Sequence, residues 1–199
     1  MYKLEVVKMS KNKKRRLFEF DKMTRDIRRN KEYQKLKKYV HHGGTNTLYQ
    51  HSISVAYIVF VLCLIFKINK KIMYSAVIAA LLHDFFGYSW RDKNSEYSKN
   101  IRNSKGIKRI TNMHAFSHGP AAVKNSELYF VLSENQKDAI RKHMFPLYPI
   151  PPMHMEGWLV TIADKIVATR ECFLTFLGWF HIRKKVYKSK RNEYIVVKA

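Results

Sequence analysis

The chain has 199 residues, of which 46% are hydrophobic, and its 38 Lys and Arg against 15 Asp and Glu give a formal charge of +23 at pH 7. This apolar content is enough for a buried core, which excludes a disordered chain and favours a single domain. The positive charge would attract phosphates, nucleic acid or anionic lipid, but charge alone identifies no partner.

Cysteine usage and the N-terminal sequence bear on location. Cys63 and Cys172 lie in apolar segments and lack the spacing of a zinc site or a disulfide scaffold. The N-terminal residues contain no apolar stretch followed by a small-residue cleavage site, so no secretory signal is predicted. We therefore expect a reducing, cytoplasmic location.

Residues 1–38 are the first predicted element, a basic amphipathic helix without Gly or Pro. Its apolar residues recur at loosely helical spacing, which indicates that it packs on the main body of the protein. We expect three parts in the chain: this basic helical segment, a main domain over 39–182, and a basic tail over 183–199.

The main domain is predicted to be a helical bundle. Thr45 or Thr47 can cap its first helix, and Ser133 with Gln136 forms a capping box before its fourth. The apolar run from Val55 to Phe66 is shorter than the roughly 18–20 residues of a membrane-spanning helix, so we expect a core helix there. No convincing strand is present, so the predicted fold class is all-α. The predicted helices cover residues 48–67, 71–86, 119–131, 134–145 and 154–182.

Helical periodicity is lost between the second and third of these helices, over residues 91–113. Ser, Asn, Lys and Arg dominate this stretch, and a connection longer than about 15 residues in a compact domain is usually functional or disordered. Its basic residues make it a candidate lid or phosphate-attracting arm.

The second predicted helix contains a charged pair, His83 and Asp84, inside the apolar run from Ala79 to Phe86. A buried, unpaired carboxylate would cost several kcal/mol or stay protonated. A metal ion would satisfy both side chains, and a mixture of imidazole nitrogen and carboxylate oxygen suits Fe, Mn, Zn or Co better than Ca or Mg.

Four further side chains of metal-ligand type lie beside other predicted helices: His51, His118, His143 and Asp164. Each histidine taken singly has an ordinary explanation, such as an exposed residue at a helix end. Asp164 is more informative, because apolar residues surround it in sequence. One shared site explains all six residues better than independent causes.

These residues occur in a recognisable order, and the sequence resembles the HD superfamily of metal-dependent phosphohydrolases. The resemblance covers roughly residues 38–172, and the extra histidines are similar to those of the subgroup with a two-metal centre. The matching elements are His51-Ser52, Leu82-His83-Asp84, His118-Gly119, the segment from Ile140 to Met144, and Ile162-Ala163-Asp164-Lys165.

The resemblance implies a divalent transition-metal cofactor, with two ions, Fe or Mn being favoured and Zn, Co or Ni also allowed. His51, His83, Asp84 and Asp164 would hold the first ion. His118 and His143 would hold the second, with Asp84 bridging the two. A hydroxide between the ions would attack a phosphate ester or anhydride, and a nucleotide is the expected substrate.

Other residues are assigned supporting roles. Asp92 and Lys165 join Asp84 as candidate catalytic residues. Ordinary surface charge explains Arg91, Asp92 and Lys93 equally well. Candidate substrate-binding residues are His114, Arg91, Lys93 and Arg170.

Two alternatives remain open. A mononuclear HD nucleotidase would hold one metal and use His118 and His143 to contact the phosphate. A protein of another class would bind nucleic acid or an anionic membrane surface through its basic termini, with a regulatory HD core. The oligomeric state is not predicted.

Overall fold

The computed structural model describes residues 10–40, 46–86, 99, 102–105 and 114–179, without the side chains of 114, 115 and 176–179. Within these ranges the chain is helical, with an isolated β-bridge between Val40 and Thr47 and no strand. The predicted all-α fold class is therefore confirmed. The helices are α1 (Lys11–Arg29), α2 (Lys31–Gln34) with a following 3-10 turn (Lys35–Lys38), α3 (Leu48–Ile65), α4 (Lys70–Leu82), α5 (His114–Glu127), α6 (Glu134–Lys142) and α7 (Met155–Trp179).

Helices α3, α4 and α7 pack against one another at the centre of the bundle. Small and branched residues such as Val55, Ala76 and Ala163 are fully buried where these helices meet. Helix α6 packs on α4 and α7, and α5 packs on α6. This arrangement brings residues from α3, α4, α5, α6 and α7 to one region of the interior.

Helix α3 is long and apolar enough to cross a membrane, judged by length and composition alone, with a mean hydropathy of 1.9 over 18 residues. In the structure 44% of these residues are buried. The buried face includes the polar residues His51 and Ser52 and lies against α4 and α7. This environment agrees with the predicted core helix.

The sequence predicted one helix for the N-terminal segment, but Asn30 interrupts it. The Asn30 side chain accepts hydrogen bonds from the backbone N–H groups of Glu32 and Tyr33, which ends α1 and begins α2. The resulting corner buries Tyr33 and Leu36 in the same hydrophobic core as the main domain. The Tyr33 hydroxyl donates a 2.9 Å hydrogen bond to the carbonyl of Leu81, near the end of α4.

Two predicted helix starts depend on caps, and the structure contains both. Thr47 forms a capping box with Gln50 at the start of α3, and Ser133 forms the predicted box with Gln136 at the start of α6. These boxes satisfy backbone N–H groups that have no partner within the helix.

The predicted helix ends were less accurate, and the differences matter for the site. Helix α4 ends at Leu82 rather than 86, and α6 ends at Lys142 rather than 145, so His83, Asp84 and His143 lie in the turns that follow. Helix α5 begins at His114, and Pro120 therefore lies inside it rather than at its start. Apolar or charged residues continue past both C-termini, so the sequence pattern did not indicate where the helices stop.

Candidate metal centre

The six predicted ligands come together at one buried position. His51 lies in the first turn of α3, His118 in α5 and Asp164 in α7, whereas His83 and Asp84 follow α4 and His143 follows α6. All six are buried, and even the most exposed of them, Asp164, is only 8% exposed. Polar groups this deep require partners, because their hydration is lost on folding.

Asp84 lies between two pairs of histidines. Its Oδ2 is 3.4 Å from Nε2 of His83 and 3.9 Å from Nε2 of His51. Its Oδ1 is 3.7 Å from Nε2 of His118 and 3.9 Å from Nε2 of His143. Each carboxylate oxygen of Asp84 therefore faces a different pair of imidazoles.

Asp164 contacts only one of these pairs. Its Oδ1 is 3.1 Å from Nε2 of His51 and 3.8 Å from Nε2 of His83. His118 and His143 instead approach each other, with their Nε2 atoms 2.9 Å apart. The site thus has two halves joined by Asp84. In the carboxylate-rich half, Asp164 and Asp84 face His51 and His83, and in the imidazole half Asp84 alone faces His118 and His143.

The other ring nitrogens determine which way the histidines present their lone pairs. Nδ1 of His83 lies 2.7 Å from the carbonyl of Ala80, and Nδ1 of His143 lies 2.7 Å from the carbonyl of Ile140. A carbonyl only accepts, so each Nδ1 must carry the hydrogen. In the neutral rings Nε2 then presents a lone pair to the centre. His83 Nε2 has no hydrogen-bond partner among the described residues.

The pKa values of two histidines shift in opposite directions. Burial lowers the pKa of His51, but its hydrogen bonds to Asp164 and Glu171 outweigh burial and raise that pKa to about 10. Burial, together with the neighbouring rings of His118 and His83, lowers the pKa of His143 to about 3. Hydrogen bonds to carboxylates at both ring nitrogens therefore favour the protonated form of His51 when no metal is bound.

The two aspartates remain anionic in spite of their burial. Burial raises the pKa of Asp84, but the surrounding imidazoles hold it well below its usual range. Burial also raises the pKa of Asp164, but its hydrogen bond with His51 and the neighbouring imidazoles together lower that pKa below its usual range. Inward-facing imidazole nitrogens around two ionised carboxylates form a donor set that fits a divalent transition metal.

A glycine allows the two helices of the imidazole half to approach closely. A Cβ at Gly119 would lie 2.6 Å from the carbonyl oxygen of Arg141, so only glycine fits between α5 and the end of α6. Gly119 follows His118 directly, and Arg141 is two residues before His143. The close approach therefore sets the distance between these two rings.

Glu171 belongs to the site but was missed by the sequence analysis. It is buried on α7, and its Oε2 lies 3.1 Å from Nδ1 of His51. Its Oε1 accepts a 3.0 Å hydrogen bond from the side chain of Asn46. Its position seven residues after Asp164, two helical turns along α7, is the sequence signal that could have identified it.

The remaining predicted site residues have different positions. Lys165 is exposed, and its Nζ donates a 3.4 Å hydrogen bond to the carbonyl of His143. Arg170 is exposed, and its offset of six residues turns it about 120° around α7 from Asp164, away from the ligand cluster. His114 begins α5, but its side chain lies outside the described residues, as do Arg91, Asp92 and Lys93 entirely.

The aromatic residues that follow His83 and Asp84, where the structure describes them, are core residues. Phe85 and Phe86 are only 2% and 4% exposed, so neither offers a face on which a nucleotide base could stack. Phe85 packs against Tyr33 and Phe130. Phe86 packs in a T-shaped arrangement against His118, and it therefore lies beside the site. Tyr88 and Trp90 fall outside the described residues.

The fold and the site define a helical domain with a buried His/Asp cluster that could hold a metal ion. The model of the HD domain family matches residues 48–169, more than half of the chain. The chain belongs to the HD domain family, whose members are generally metal-dependent phosphohydrolases that bind divalent metals. No curated protein and no solved structure matches it.

Proposed function

We propose that the protein is a metal-dependent phosphohydrolase that cleaves phosphate esters or anhydrides, with nucleotides as the substrate class. The supporting observation is the position of Asp84, whose two oxygens face two separate pairs of imidazoles. This is the arrangement expected of a carboxylate shared by two cations.

The proposed ligands divide between the two halves of the site. His51, His83, Asp84 and Asp164 would hold one ion, and His118 and His143 would hold a second with Asp84 in common. Donor atoms close enough to share an ion occur in two groups, His51 with His83 and Asp164, and His83 with Asp84 and His143. When bound, the ions lower the pKa of a water molecule and polarise the phosphoryl group. The mixed imidazole and carboxylate donors suit Fe, Mn, Zn or Co, and the resemblance to the two-metal HD subgroup favours Fe or Mn.

The protein contributes orientation and charge. The hydrogen bonds from Nδ1 of His51, His83 and His143 fix the rings before a metal binds, and burial keeps bulk water from the donor atoms. Lys165 adjoins Asp164 in sequence and reaches the carbonyl of His143, so its exposed ammonium is placed to neutralise a substrate phosphate. Asp92, Arg91, Lys93 and His114 are the proposed further contacts to the substrate and leaving group.

The proposal is tested by removing the shared carboxylate. Purified, metal-replete protein is assayed against nucleotides, dinucleoside polyphosphates, cyclic nucleotides and bis-p-nitrophenyl phosphate. Asp84→Ala should abolish hydrolysis and metal retention while circular dichroism shows unchanged helicity. Asp26→Ala, at an exposed aspartate of α1, is the control and should behave as the parent. Hydrolysis by Asp84→Ala at the parental rate would contradict the proposal.

Metal content separates the two-metal proposal from the mononuclear alternative. After anaerobic purification, about two ions per chain are expected for a shared carboxylate. About one ion per chain would instead favour direct contact of His118 and His143 with the phosphate.

A further inference from the structure

We propose that Glu171 is a positioning residue that orients His51 for metal binding, an inference that rests on the proposed function. Asp164 and Glu171 are seven residues apart on α7, so both lie on the same face, two turns apart. Their carboxylates lie 3.1 Å from the two ring nitrogens of His51, Asp164 at Nε2 and Glu171 at Nδ1. One face of α7 therefore contacts His51 at both ends of its ring.

The chemistry of the contact determines which nitrogen is available. An ionised carboxylate only accepts, so Nδ1 of His51 donates to Glu171 and directs Nε2 toward Asp164 and Asp84. A carboxylate also increases the basicity of a ligating imidazole more than a neutral carbonyl does. Glu171 thus fixes both the orientation of His51 and its strength as a donor.

His51 differs in this respect from the other histidines whose Nδ1 partners are known. His83 and His143 donate Nδ1–H to carbonyls three residues earlier in their own turns. His51 depends on a side chain 120 residues away in sequence. Its orientation therefore requires α3 and α7 to be correctly packed, whereas the other two rings are oriented locally.

Glu171 is itself held in place. Its second oxygen accepts a hydrogen bond from Asn46, which directly precedes the N-cap residue Thr47 of α3. Glu171 therefore links to α3 at two points, at His51 and just before the helix begins. Asn46 and Glu171 both lie outside the segment 48–169 that matches the HD domain family.

The test replaces Glu171 with a neutral residue of the same shape. Metal-free Glu171→Gln is titrated with Mn²⁺, and its Co²⁺ form is examined by visible absorption. The expected result is a 10- to 100-fold loss of metal affinity, the usual range for removal of such a partner, with an altered Co²⁺ spectrum. Loss of a purely structural carboxylate would leave the Co²⁺ spectrum unchanged.

Glu156→Gln is the matched control. Glu156 is also a buried glutamate of α7 that accepts a hydrogen bond from an asparagine, Asn135, but it contacts none of the six proposed ligands. Its variant should keep the parental affinity and spectrum. Equal losses of affinity in the two glutamine variants would overturn the inference, since both would then reflect damage to α7.

Asn46→Ala provides a second test if Glu171→Gln does not fold. It removes the hydrogen bond that holds Glu171 without altering His51, and a loss of affinity of about 3- to 10-fold is expected. Parental affinity in Asn46→Ala, or in a folded Glu171→Gln, would overturn the inference while leaving the proposed function intact. A parent protein that binds no metal would overturn both.

Discussion

The two halves of the metal centre orient their histidines by different means. In the α3–α7 half, His51 lies between the carboxylates of Asp164 and Glu171, which come from a distant part of the chain. In the α5–α6 half, His118 and His143 meet through a close backbone approach at Gly119, and the carboxylate they face is the shared Asp84. The pKa of His51 is raised in spite of burial, because carboxylates flank its ring, whereas burial and the neighbouring rings lower the pKa of His143. The carboxylate-rich half should bind a cation more tightly.

The largest expected difference between the halves is in metal content. His51→Ala should remove the tightly bound ion and abolish hydrolysis, because it leaves Asp164 and Glu171 without their common partner. His143→Ala should retain about one ion per chain, since all four proposed ligands of the first ion remain. Elemental analysis and Mn²⁺ titration of the two variants provide the measurement. Retention of metal by His51→Ala and its loss from His143→Ala would reverse the comparison.

Gly119→Ala should weaken the imidazole half alone. The new Cβ would lie 2.6 Å from a backbone oxygen, which cannot rotate away, so α5 and α6 must separate. We expect a loss of about 1–3 kcal/mol in the free energy of unfolding and a lower occupancy of the second ion.

Gly157→Ala is the control for this prediction. A Cβ there would lie 2.5 Å from Cβ of Pro152, so the variant should also be destabilised. However, this contact does not involve His118 or His143, and the metal content should stay at the parental value. Equal metal loss in both glycine variants would show that the close approach at Gly119 has no specific role.

Lys165→Ala tests whether the exposed lysine near His143 contributes to substrate binding. Removing one exposed positive charge near a phosphate should raise KM by about 2- to 10-fold and leave kcat nearly unchanged. Lys124→Ala, at an exposed lysine of α5, should leave both constants at parental values. An unchanged KM in Lys165→Ala would assign that lysine a structural role.

The smallest expected effects concern the two capping boxes. Thr47→Ala and Ser133→Ala should each lower the free energy of unfolding by about 1 kcal/mol in urea denaturation. Thr47→Ala should also weaken metal binding, because His51 lies in the turn that Thr47 caps. Ser133 lies at the opposite end of α6 from His143, so its variant should bind metal normally. Matching metal affinities in the two variants would mean that the cap does not help to position His51.

The sequence predicted which buried side chains cluster better than it predicted where the helices end. His83, Asp84 and Asp164 were recognisable because charged side chains inside apolar runs need a compensating partner. The ends of α4 and α6 were placed too late, because residues such as Phe85 and Phe86 continue the apolar pattern after the chain has left the helix. Periodicity reports which face is apolar, and it does not report where the backbone turns.

The burial of Glu171 and the role of Gly119 were missed for a related reason. A glutamate between Arg170 and Cys172 has the sequence context of a surface residue, and only the packing of α7 on α3 shows that it is buried. The role of Gly119 depends on its distance from Arg141 in a different helix. The roles of Asp92, His114 and the basic termini stay predictions.

The hydrogen bond from Tyr33 to Leu81 has a consequence for how far the protein can be shortened. The Leu81 carbonyl is two residues from His83, and the phenol that satisfies it comes from the N-terminal side of the HD match. A fragment trimmed to residues 48–169 would leave this oxygen without its donor and would lose the Tyr33 ring that packs against Phe85. It would also lack the carboxylate that orients His51. The smallest autonomous unit that can assemble the centre therefore extends beyond the family boundaries on both sides.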